Sequence, residues 1–74
     1  MLQEHFDAML AAAKQRSLLL ENATITVADR RELKATLATA KNVRLGMKVR
    51  EANLQKAMDL ITSIELKMNR EARL

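Results

Sequence analysis

The sequence predicts an all-α fold: an antiparallel helical hairpin with a long second helix that associates with another chain. Three observations carry this. The 74 residues include no proline and one glycine, and strong helix formers dominate. An apolar ladder with a seven-residue step runs through Leu33, Ala40, Met47, Leu54, Ile61 and Met68, the mark of a helix seam that faces another helix. A shorter ladder of the same step, Phe6, Ala13 and Leu20, lies upstream.

Helix one is expected over 2–21. Leu2, Phe6, Met9, Ala13 and Leu20 share a face, widened by Leu10, Ala12 and Leu19. Glu4 and Asp7 sit near its start and Lys14 and Arg16 nearer its end, the order that the helix dipole favours.

A loop is expected over 22–26. Asn22 tolerates the left-handed conformation that ends helices. The β-branched run Thr24-Ile25-Thr26-Val27 is mediocre in a helix. Thr26-x-x-Asp29 resembles a capping box with aspartate in place of glutamate, and Ile25 holds the staple position before it.

Helix two is expected over 27–70, about 65 Å at ~1.5 Å per residue. Gly46 is the one candidate bend, and a true turn there would make a three-helix bundle. Neighbouring Leu45, Met47 and Val49 are not turn formers, which favours a continuous or gently bent helix.

Folding helix one back on helix two sets Leu20 opposite Leu33, Ala13 opposite Ala40 and Phe6 opposite Met47. Glu4 and Asp7 then approach Arg44, Lys48 and Arg50. Helix one reaches only to about Arg50, so, flanked by Leu60 and Leu66, the stripe Leu54, Met58, Ile61, Ile64 and Met68 has no cover within the chain. These five are the expected partner-binding residues, and the partner is another protein or a second copy of the chain.

So short a chain buries a limited fraction of its surface and commonly relies on disulfides, a metal or oligomerisation. There is no cysteine, which excludes disulfides. A single histidine, His5, without companion ligands argues against a metal site, and no cofactor is expected. No cluster suits nucleophilic or acid–base catalysis, and one glycine cannot make a phosphate loop, so an enzyme is not expected. No apolar run approaches a membrane span, and acidic Glu4 and Asp7 stand where a secretion signal would be basic. The expected compartment is therefore cytoplasmic, and the glycosylation triplet Asn22-Ala23-Thr24 reads as accidental.

Charge supplies the alternative. The net charge is +4, and eight basic residues against two acidic ones fall between Arg30 and Lys56. Lys34, Lys41 and Lys48, joined by Arg44, would share one face of a continuous helix and could follow a phosphate backbone. The competing expectation is a small basic, dimeric nucleic-acid-binding or regulatory protein.

The stretch Arg50-Glu51-Ala52-Asn53-Leu54-Gln55-Lys56-Ala57-Met58-Asp59-Leu60-Ile61 is similar in pattern to the C-terminal helix of small subunits and co-chaperones of type III secretion needles. That resemblance covers the last half of the chain and rests on apolar spacing. It implies a cytoplasmic helical hairpin whose C-terminal helix offers an apolar face to a partner, and so a chaperone or assembly factor. The basic balance and the loop without proline or glycine depart from the needle subunits, and no functional residue is carried over.

Overall fold

A computed structural model describes residues 2–20 and 25–72. It contains three helices, α1 (Gln3–Leu19), α2 (Val27–Lys41) and α3 (Met47–Ala72). The end of the first helix at Glu21 and most of the expected loop, including Asn22, lie outside the described residues. Thr26 caps α2, its Oγ1 accepting the Asp29 backbone N–H at 3.0 Å. Ile25, just before that cap, packs against the core.

The long second helix is not continuous, and the reason is local. Asn42 leaves helical geometry at φ −76° and ψ 100°. Its Oδ1 accepts the Arg44 backbone N–H at 3.0 Å, and its carbonyl accepts the Leu45 N–H at 3.1 Å. Asparagine side chains compete with the helix by bonding the backbone two residues on, and this one closes a tight turn. The apolar neighbours of Gly46 do not prevent the reversal, because Asn42 supplies the turn chemistry four residues earlier. The hairpin with one long helix thus gives way to α2 and α3 packed antiparallel.

α3 starts beside Gly46, whose carbonyl accepts the Arg50 N–H at 3.2 Å. A Cβ added at Gly46 would meet nothing within 4 Å, and Gly46 does not have the positive φ that demands glycine. Serine at the start of a helix caps slightly better than glycine and restricts the unfolded chain. Gly46→Ser is therefore expected to stabilise by about 0.5–1 kcal/mol in urea melts. A loss of stability would place Gly46 in some other role.

α1 runs alongside α3 in the same direction. Near its start the Phe6 ring lies under the Arg50 guanidinium, 4.8 Å from its centroid, and near its end Arg16 pairs with Glu65. α2 runs opposite to both: Leu20 and Leu33, partners in the expected register, line one groove, and Lys14 and Lys41 line the next. Phe6 meets Arg50, one turn on from its expected partner Met47, which is itself packed against the core.

The core is built from the two ladders. Phe6, Ala13, Leu20, Leu33, Ala40, Leu54 and Ile61 are all buried. Leu10, Leu37, Ala57 and Ile64 complete it, with Met47 and Met58 packed at its edge. Each helix buries an alanine completely, Ala13, Ala40 and Ala57, which allows close approach of the backbones.

Arg50 was expected on the surface beside Glu4 and Asp7. It points inward instead and is 7 % exposed. Its Nε donates to the Ala40 carbonyl at 2.9 Å, in the last turn of α2. Carbonyls there have no helical donor and carry the negative end of the helix dipole, so a cation satisfies both needs. Asp7 accepts the Gln3 amide at 2.9 Å. Thr36, also buried, returns its hydroxyl to the carbonyls of Glu32 and Leu33 at 2.9 and 3.1 Å. Among the described residues no buried side-chain nitrogen or oxygen lacks a partner.

α3 is the longest helix at 26 residues against 17 for α1, a difference of about 13 Å in length. This gives a long particle of 43 × 22 × 16 Å.

Candidate functional site

The expected partner-binding stripe is mostly core. Leu54, Ile61 and Ile64 are buried and Met58 packs against them; only Met68 is exposed. The physical reason is the turn at Asn42. On a continuous helix these side chains would project beyond the reach of α1. Reversal at residues 42–46 carries them back along α2, where α1 and α2 together cover them.

Apolar surface remains at the far end of the stripe. There α1 stops and α3 continues, and a groove of about 500 Å³ lies between Leu19, Leu20, Glu65, Leu66 and Met68. Leu19 is 73 % exposed, Leu66 55 % and Met68 37 %. Leu18, the neighbour of Leu19, is exposed as well. On the α1–α3 side of the groove, Arg16 pairs with Glu65 and its Nη2 donates to Thr62 Oγ1 at 3.4 Å. Such a half-exposed pair contributes about 0–1 kcal/mol, so it fixes the angle between the helix ends more than it stabilises them. Periodicity had marked Leu19 as a flank of helix one and Leu66 as a flank of the stripe. That these two flanks meet depends on α1 and α3 being parallel, which no local signal states.

The expected basic face is divided by the same turn. Lys34 and Lys41 stay together on α2, Arg44 sits in the turn and Lys48 opens α3. Lys34 and Lys41 stand on one wall of the groove between α1 and α2. Lys14 of α1, which the seven-residue basic repeat did not include, lines the adjoining groove together with Lys41.

His5 is exposed, and among the described residues no three acidic, histidine or cysteine side chains gather as metal ligands would. Among those residues, too, no helix is long and apolar enough to cross a membrane. Compared with known proteins, the chain matches no family model, no curated protein and no solved structure.

Proposed function

We propose that this chain is a non-enzymatic protein-interaction module, a chaperone or assembly factor, and that its binding surface is the apolar end made by Leu19, Leu66 and Met68. The observation that carries this is their shared exposure around one groove, where two helices of unequal length end. Fully burying side chains of this kind is worth about 1.5–3 kcal/mol each, enough for three of them to anchor a contact. The partner best suited is an apolar helix of another protein, laid along α3 beyond the end of α1. Methionine at the rim adapts to such a surface at little cost. The resemblance of residues 50–61 to needle co-chaperones points to the same class of work, although three helices are not the hairpin it implies.

The test is affinity capture from the source cell, followed by titration of the purified partner. Leu19→Ser combined with Leu66→Ser is expected to remove binding while leaving helicity unchanged, because both side chains already face water. Equal binding by this variant would put the interaction elsewhere. Sedimentation equilibrium on the chain alone distinguishes a second copy from a different protein.

A further inference from the structure

We infer that the groove between α1 and α2 binds a nucleic-acid strand through its phosphates, with Lys14, Lys34 and Lys41 as the contacting cations. This surface is separate from the apolar end and does not depend on that end binding anything. Lys34 and Lys41 are seven residues apart on α2, about 10 Å along one helix face. Lys14 approaches from α1 in the adjoining groove, which Lys41 also lines, so Lys41 joins the two grooves into one basic track. Among the described residues neither groove has a carboxylate in its lining. Three of the described acids are engaged or turned away. Glu65 pairs with Arg16 on the α1–α3 side, and Asp7 takes the Gln3 amide. Glu32 is on the opposite flank of α2, two residues from Lys34 and so about 200° around the helix. Among the described residues none of the three lysines forms an ion pair. Like charges gathered in this way repel one another in the free protein and are relieved by an anion.

The shape of the site selects among polyanions. The floor consists of Leu20, Leu33 and Leu37, exposed by 4 %, 5 % and 7 %, so an acidic amphipathic helix would gain little apolar contact there. The lysines flank a channel between two helices, which suits a strand laid along it better than a flat bilayer. No tyrosine or tryptophan exists to stack bases, and Phe6 is buried, so recognition is of backbone charge and not of sequence.

The test is fluorescence anisotropy of a short mixed-sequence oligonucleotide, single-stranded and duplex, over a salt series. Three phosphate contacts give a slope of log K against log salt of about −2.1 for a single strand and about −2.7 for a duplex, hence about 20- to 40-fold weaker binding at 200 mM than at 50 mM salt. Changing Lys14, Lys34 and Lys41 together to glutamine should abolish binding, with helicity by circular dichroism unchanged. The matched control changes Lys48, Lys56 and Lys67 to glutamine, removing equal charge from α3, and should keep most of the affinity. Equal loss in the control would show attraction by net charge alone and overturn the groove. So would absence of binding at low salt, or a slope shallower than about −1. Binding to phosphatidylserine vesicles without binding to either oligonucleotide would assign the cations to a membrane and overturn the inference as well.

Discussion

Ile61→Asp is expected to unfold the chain. Ile61 is fully buried in α3, where the α1 and α2 cores meet it. The change removes a side chain whose burial is worth about 1.5–3 kcal/mol. It also places a carboxylate in the apolar core, at a further cost of several kcal/mol. Total stability for a domain of this size is about 4–11 kcal/mol, so the sum rivals or exceeds it. Circular dichroism at 222 nm should show the helical signal lost, with no cooperative urea transition. Leu54→Ala gives the graded form of the same experiment, with an expected loss of about 2–5 kcal/mol. The outcome discriminates sharply between two arrangements of one sequence. Were the stripe an open docking face on a continuous helix, Ile61→Asp would leave helicity intact and remove only a partner. A folded, cooperatively melting Ile61→Asp chain would therefore sink the three-helix packing.

Phe6→Ala is expected to cost about 3–5 kcal/mol, the largest effect of a simple truncation here. Phe6 is the only aromatic residue and is completely buried. Its loss opens a cavity at the end of the bundle where the α2–α3 turn closes. It also removes the ring beneath Arg50, a contact that contributes about 0.5–2 kcal/mol depending on its exposure to water. Arg50→Met keeps an apolar stem but leaves the Ala40 carbonyl without its donor, at about 1–3 kcal/mol. The double variant should destabilise by less than the sum of the two, because each single change already forfeits the ring–guanidinium contact. Urea melts of the four proteins measure this directly. Strict additivity would mean that Arg50 and Phe6 do not touch.

Several features were legible in the sequence for definite physical reasons. Thr26 as the start of a helix follows from a hydroxyl placed three residues before a free N–H, and it caps α2 as expected. The turn at Asn42 carried a weaker signal: an Asx side chain can end a helix by bonding the backbone two residues on, yet Asn53 stays inside α3, and Gly46, the stronger breaker, merely starts the next helix. The inward turn of Arg50 had no such signal. An arginine on a basic stretch reads as solvated, and only the nearby end of α2 and the Phe6 ring make its burial favourable.

By itself the sequence determined that the chain is helical and which residues are apolar neighbours along each helix. With a seven-residue step, Phe6, Ala13, Leu20, Leu33, Ala40, Met47, Leu54, Ile61 and Met68 were expected on the seam; Met47 is half-buried, Met68 is exposed and the other seven are buried. Periodicity states that a face is covered; it carries no information about what covers it. That was decided by tertiary structure. Once Asn42 reverses the chain, the face destined for a partner becomes the partner of α1 and α2, because burying Leu54, Ile61 and Ile64 within one molecule needs no second chain to be bound. The same reversal separates Lys48 from Lys34 and Lys41 and brings Lys14 towards Lys41. It also gathers Leu19, Leu66 and Met68 around one groove at the end of α1. Helix lengths and directions set that geometry, and neither is written in the spacing of residues within a single helix.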